Sequence, residues 1–235
     1  MNVFIVSAHP EPKSFNSALR DLSVSVLSDL GHAVRVSDLY AMKFNPVAST
    51  EDFRDRSDSD YLVYALEQRH GYDTRTLAPD ILAEIDKVVW CDLLILNFPV
   101  FWFSTPAILK GWIDRVLISG LIYGGKRFYD RGGLLGKRAM ITITLGGQPH
   151  MFGEGAIHGP LEDMLRHLLR GTLYYTGMSV LPPFVAWHVP YISDAARKDY
   201  LRAYKHILNN LESCKPLSFP SLNDFDDKLY PLGSG

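Results

Sequence analysis

Residues 98–106 read Phe-Pro-Val-Phe-Trp-Phe-Ser-Thr-Pro. An apolar run, Leu93 to Asn97, precedes them, and an amphipathic run from Ala107 to Val116 follows. Strand, turn and helix in that order put the turn at the carboxyl end of a parallel strand, where open α/β sheets bind ligands. Phe101, Trp102 and Phe103 are core residues by type. Three of them in a turn need a reason, and a large flat ligand to stack on is one. A hydrophobic plug or a subunit contact would explain the same three residues taken alone.

Two further loops fall on the same edge. His9 to Ser14 follows the apolar run Val3 to Ser7 and ends at a helix start with Ser14, Phe15 and Asn16. Free N–H groups and the helix dipole there suit a phosphate, although taken alone an ordinary capped helix is the better account. The third loop, Gly146 to His158, pairs Gly146-Gly147 with Met151, Phe152 and His158. Two glycines let a ring lie against backbone and leave amides for its polar edge. His158, placed after them, is as readily a ligand contact as a capping histidine. The chain has no G-x-G-x-x-G, which argues against a nicotinamide-dinucleotide Rossmann fold.

The elements that would position these loops alternate. Val3 to Ser7 has no polar alternation, as in a parallel strand covered on both faces. Ser14 caps a predicted helix from Phe15 to about Leu30, closed by Gly31. Ala33 to Val36 is a second strand. Asp38 to about Leu77 is long, charged and without a period, an excursion with short helices that reaches toward a partner subunit. Pro79 to Trp90 is helical, with Ile81, Leu82, Ile85, Val88 and Val89 on one stripe. Leu93 to Phe98 is the third strand. Thr105 is expected to cap the next helix, with Pro106 in its first position. Ala139 to Thr144 is the fourth strand. A helix from about Glu162 to Tyr175 and a fifth strand, Met178 to Leu181, follow, and Ser193 caps a last helix, Ala195 to Leu211. The pattern predicts an α/β architecture: a doubly wound, five-stranded parallel sheet with helices on both faces. Residues 1–213 form the predicted domain, and 214–235 a tail lying over its surface.

Composition narrows the function classes. The 235 residues are 47% hydrophobic and 21% charged, with a formal net charge of −2. That balance gives no footprint for nucleic acid or an anionic membrane. No apolar run reaches membrane-spanning length. Cys91 and Cys214 make neither a disulfide framework nor a metal pattern and read as reduced thiols in a cytoplasmic protein. The start, Met1-Asn2-Val3-Phe4-Ile5-Val6, reads as a strand and not a signal peptide.

Together these residues resemble the DT-diaphorase family, the NAD(P)H:quinone oxidoreductases with a flavodoxin-like fold. The motifs that carry the resemblance are Ala8-His9 with Ser14-Phe15-Asn16, Ser37 to Met42 with Phe44-Asn45-Pro46, and Phe98-Pro99 with Trp102-Phe103. Pro106 to Trp112, Tyr129-Asp130, Gly146-Gly147 and Gly155 to Gly159 complete them. The resemblance implies a homodimer that binds FAD between subunits, takes hydride from NADPH or NADH, and passes it through flavin N5 to a quinone in alternating steps. It places FAD contacts on His9, Ser14, Phe15, Asn16, Pro99, Val100, Trp102, Phe103, Thr144, Gly146, Gly147 and Arg197, with Arg197 at the adenine end. Quinone and nicotinamide would stack in turn on the open face of the flavin, which Tyr123 from the partner subunit, Tyr175 and Met151 would close, with Trp102, Phe103, Phe152 and His158 completing the substrate site. Related folds include FMN-dependent azoreductases and regulatory flavoproteins ancillary to membrane transporters.

Three departures from the family pattern alter the expected chemistry. The family pairs a tyrosine with a histidine beside the edge of the flavin that gains negative charge. Here the histidine is His158, but the tyrosine position holds Phe152, which cannot donate a hydrogen bond. His158, Gly146 and Gly147 are therefore expected to carry that charge alone. Gly125 stands where the family has a second active-site tyrosine, which widens the pocket. Arg170 and Tyr174 occupy positions where some relatives hold a metal through histidines, so no metal is expected.

Overall fold

Val3, Phe4, Ile5 and Val6 are all fully buried, because strand β1 (Asn2–Ser7) is covered on both faces. The computed structural model describes residues 1–233; Ser234 and Gly235, the last two residues of the predicted tail, lie outside it. The other strands are β2 (Ala33–Asp38), β3 (Leu93–Pro99), β4 (Arg138–Thr144), β5 (Ser179–Val180) and β6 (Phe184–Ala186). Every pairing is parallel, in the order β2-β1-β3-β4-β5. The five-stranded expectation is corrected to six. β5 pairs with the start of β4 through Arg138 and Ala139, and β6 takes over from Thr142 to Thr144. Three residues behind Pro182-Pro183 are too few to show a period.

Alternate residues feed two cores. Val3, Ile5, Leu93, Ile95 and Met140 pack with helices α1 (Phe15–Asp29) and α6 (Asp194–Asn209). Phe4, Val6, Leu94, Leu96 and Phe98 pack with α3 (Pro79–Trp90), α4 (Ala107–Val116) and α5 (Leu161–Leu168). Ser14 caps α1 by accepting from the Ser17 N–H, and Ser193 caps α6 by accepting from the Ala196 N–H. Thr105 does not cap α4. Pro106 itself is the residue before the first helical turn, extended at φ −55 and ψ 147, with no side chain on the orphan amides. The predicted 162–175 helix is broken: α5 ends at Leu168 and a π-helical turn, Leu169–Tyr174, follows. Gly171, a poor helix former, lies within that turn.

The 38–77 excursion holds a one-turn helix, Thr50–Asp52, and α2 (Tyr64–Asp73). Its anchor is buried. Arg115 on α4 reaches Asp52 at 2.7 Å and Asp80 at 2.8 Å, and donates to the Asn45 carbonyl. Tyr64 donates to the other Asp52 oxygen at 2.5 Å; burial, first, and then Asp52 raise its pKa. The same segment crosses α4 at Gly111, where a Cβ would stand 2.1 Å from the Pro46 carbonyl oxygen. In the tail, Leu217 and Phe219 pack against the core. Among the described residues no helix is long and apolar enough to cross a membrane.

Backbone cannot step aside as a flexible side chain can, so Gly111→Ala must push the Asn45-Pro46 segment off α4. The expected loss is about 1–3 kcal/mol, of the order of overpacking a core. Thermal denaturation should show a fall of several degrees.

Candidate active site

The carboxyl ends of β1, β3 and β4 lie side by side, since Ser7 pairs with Asn97 and Pro99 with Thr144. A hydrogen-bonded group locks them to the start of α1. The Asn16 amide donates to Asn97 Oδ1 at 2.9 Å, Asn97 donates back to the Asn16 carbonyl at 2.7 Å, and Thr144 donates to Asn16 Oδ1 at 2.7 Å. All three side chains are buried. Asn16 and Thr144 therefore line the edge with their polar atoms already used, and their part is to fix it.

Above this lock runs a cavity of about 510 Å³. His9, Lys13, Ser14, Phe15 and Asn16 form one wall, Pro99, Val100 and Phe101 another, and Thr144, Leu145 and Gly146 a third. Val189, Pro190 and Arg197 close the far end. A second cavity, about 230 Å³, shares Val100, Leu145 and Gly146 with the first and extends to Trp102, Phe103, Gly147, Phe152 and His158. The His158 ring packs against Phe103 and Phe152, with centroids at 5.2 and 5.0 Å. The two cavities make one trough, aromatic where Trp102, Phe103, Phe152 and His158 line it, with Lys13 and the Asp194-paired Arg197 among the residues lining the rest.

The aromatic end is built under strain. Phe101 and Ser104 exchange both backbone hydrogen bonds at 3.0 Å, so Trp102 and Phe103 are the central pair of a two-residue turn. Both have positive φ, 50° and 60°. Such turns ordinarily take Asn-Gly, and a bulky residue held there costs about 1 kcal/mol or more. Trp102 is nevertheless 96% exposed, so packing within the chain does not repay the strain. His167 steadies the turn, its Nε2 lying 3.1 Å from the Ser104 hydroxyl.

Backbone supplies most of the donors. Among the described residues, the N–H groups of Phe15, Asn16, Trp102, Phe103, Gly146 and Gly147 have no hydrogen-bond acceptor. His9 sits beside the first pair. Its Nδ1 accepts from the Glu11 N–H at 3.0 Å, and burial lowers its pKa from the ordinary histidine value. With Nδ1 accepting, the neutral His9 ring carries its proton on Nε2.

Of the remaining expected site residues, Met151 lies behind the glycine turn, where its sulfur accepts from the Gln148 N–H at 3.4 Å. Tyr123 and Tyr175 line neither cavity. They belong to an aromatic cluster with Phe128 and Tyr129, Tyr123 and Tyr175 being 6.0 Å apart. Cys91 is buried and its thiol is pushed up to about 11 by burial, so it offers no nucleophile. Among the described residues no group of His, Cys, Asp or Glu has the arrangement of a metal site.

Comparison with known proteins decides which family this trough belongs to. The model for the flavodoxin-like fold matches residues 1–208. The human ribosyldihydronicotinamide dehydrogenase [quinone] is 40% identical over 216 residues, 92% of this chain and 94% of its own. The NAD(P)H dehydrogenase [quinone] 1 of Cavia porcellus is 38% identical over 223 residues, 94% and 81% of the two chains. A solved structure from Klebsiella pneumoniae, assigned as a quinone reductase, superposes with a TM-score of 0.94 at 35% identity, covering 98% of this chain and 93% of that one.

The chain belongs to the NAD(P)H:quinone oxidoreductase family.

It is an oxidoreductase with a flavodoxin-like fold. The structure adds Asn97, Lys13, Trp187 and His188 to the residues at or behind the trough. Asn97 left a trace, a polar residue in an otherwise apolar buried strand. Lys13 is one exposed lysine among many. Trp187, which packs on Phe152 at 5.0 Å, and His188 follow the strand that was too short to read.

His9 gives this site a pH signature. Its folded pKa lies below the unfolded value, so the unfolded chain binds more protons between the two. The native contribution is complete above about pH 6.5 and is lost as pH falls below that. Relative to His9→Asn, the unchanged protein should lose Tm between pH 7.5 and pH 5; a constant difference would mean that His9 is not desolvated.

Proposed function

We propose that this protein is an FAD-dependent quinone reductase, using NADPH or NADH as donor and acting as a homodimer. The observation that carries the reading is the trough. Its flat end is strained aromatic turn and its middle is a helix N-terminus with two unpaired amides, while Lys13 and Arg197 flank its far half. A flat ring system joined through an anionic pyrophosphate to a second aromatic group has that sequence of demands. Phe15, Asn16, Val189, Pro190 and Arg197 line the larger cavity and not the smaller aromatic one, and that additional room favours FAD over FMN. Bound in the trough, FAD would supply two-electron chemistry, hydride in at N5 from a reduced nicotinamide and out to a quinone in alternating half-reactions.

The chain's own residues bind and orient. The Trp102-Phe103 turn gives a stacking wall and two amides. Gly147 is flush against Phe152, where a Cβ would meet the ring at 2.9 Å, so a larger residue would close the approach to its amide. His158 is the one imidazole lining the smaller cavity, and Phe152 offers no donor beside it. His158 with the Gly146 and Gly147 amides would therefore stabilise negative charge developing on the polar edge, in the manner of an oxyanion hole. The 96% exposure of Trp102 supports a second subunit over this face. The Tyr123, Phe128 and Tyr175 cluster, absent from its own chain's trough, is what that subunit would bring.

The test is an anaerobic mix of flavin-loaded protein with NADPH, following flavin absorbance, and then addition of a quinone. Fast bleaching and fast return are expected. His158→Ala should slow bleaching by roughly 100-fold; an unchanged rate would remove His158 from the chemistry. Loaded protein that neither bleaches with a reduced nicotinamide nor recolours with a quinone would overturn the reading.

A further inference from the structure

His188, which lines neither cavity, makes three contacts behind the glycine turn. Its Nδ1 lies 2.7 Å from the Gly146 carbonyl oxygen, its backbone N–H donates to the Gly147 carbonyl at 3.0 Å, and its ring packs on Tyr191 at 4.8 Å. The next residue continues the pattern, since the Val189 N–H donates to the Leu145 carbonyl at 3.0 Å. Three successive carbonyls of the glycine turn are thus held by one corner, Leu145 by Val189 and Gly146 and Gly147 by His188.

A trans peptide is planar, with its C=O and N–H pointing in opposite directions. Holding the Leu145 carbonyl on the corner turns the Gly146 N–H the other way, and holding the Gly146 carbonyl does the same for the Gly147 N–H. Both amides are without an acceptor among the described residues, and both glycines line the trough while His188 does not. The corner is itself held in place: β6 pairs with β4 up to Ala186, and His188 adopts the left-handed conformation, φ 56°. A non-glycine residue in that conformation needs its surroundings to keep it there. A ring nitrogen facing a carbonyl must carry the proton, so Nδ1–H is the donor in neutral and charged imidazole alike.

We propose that His188 is a positioning residue for this oxidoreductase: it fixes the Gly146-Gly147 peptide so that the Gly147 N–H faces the polar edge of the bound ring. The inference rests on the flavin reading for the identity of the ring, and on hydrogen bonds alone for the orientation. Two glycines in succession are otherwise free to flip that peptide.

The experiment compares the unchanged protein with His188→Gly, which keeps the left-handed backbone and removes the ring, and with His188→Asn. Asparagine tolerates that conformation and carries a donor at the same reach. Nitrogen-15 NMR without added flavin should show His188 as the Nδ1–H tautomer and Gly147 ordered. In His188→Gly the Gly147 order parameter should fall, the FAD dissociation constant should rise by roughly tenfold, and Tm should move little. His188→Asn should restore both. An unchanged Gly147 order parameter and an unchanged FAD dissociation constant in His188→Gly would overturn the proposal. Should the unchanged protein bind no FAD, the quinone reductase reading falls, and the order parameter still decides whether His188 holds the peptide.

Discussion

The Asn16-Asn97-Thr144 group is the constraint on which the rest of the site depends. Parallel strands end in backbone that points out of the sheet, and nothing in strand pairing fixes where the following loops go. Here a buried amide from α1 joins the end of β3 to the end of β4. Each partner is nearly inaccessible to water, so a broken bond leaves a buried polar group unpaired, at about 1–3 kcal/mol. The helix start that carries two free amides is thereby set at a fixed height above the strand that leads into Trp102-Phe103 and the one that leads into Gly146-Gly147.

From that base the site is made mostly of main chain. The Trp-Phe turn accepts an unfavourable backbone conformation in order to present two rings and two N–H groups outward. The glycine turn is held from behind by the 188–189 corner. Side-chain chemistry is sparse: neutral His9 at one loop, His158 between two phenylalanines, Lys13 and Arg197 along the far half. Such a surface performs little chemistry by itself. Under the function proposed above it would orient a reactive cofactor and stabilise charge on it, the division of labour expected of a flavoprotein.

Much of this was legible in the sequence because the signals were local. Apolar runs without alternation marked the buried strands, Ser14 and Ser193 marked helix starts, and the order of strand, aromatic turn and helix put Phe101 to Phe103 at the carboxyl edge of the sheet. What was not legible was set by contacts distant in sequence. β6 exists only because β4 has a free edge beyond β5. Thr105 lost its capping role because Pro106 already held the helix entrance in extended backbone. The helix breaks after Leu168, and the Tyr174-Tyr175 pair beyond the break meets Tyr129 from another loop, a contact no local pattern announces. The family resemblance made Asn16 and Thr144 ligand contacts, and only the fold shows their side-chain polar atoms bonded to each other.

The account's central claim is that this buried lock holds the ligand-binding backbone in register. It is tested most directly by measuring FAD affinity of Asn97→Ala at a temperature where circular dichroism shows the fold intact. The account expects native secondary structure with FAD binding weakened by tenfold or more, since the lost bonds free the α1 start from β3. Asn97→Ala protein that binds FAD as tightly as the unchanged chain would contradict it.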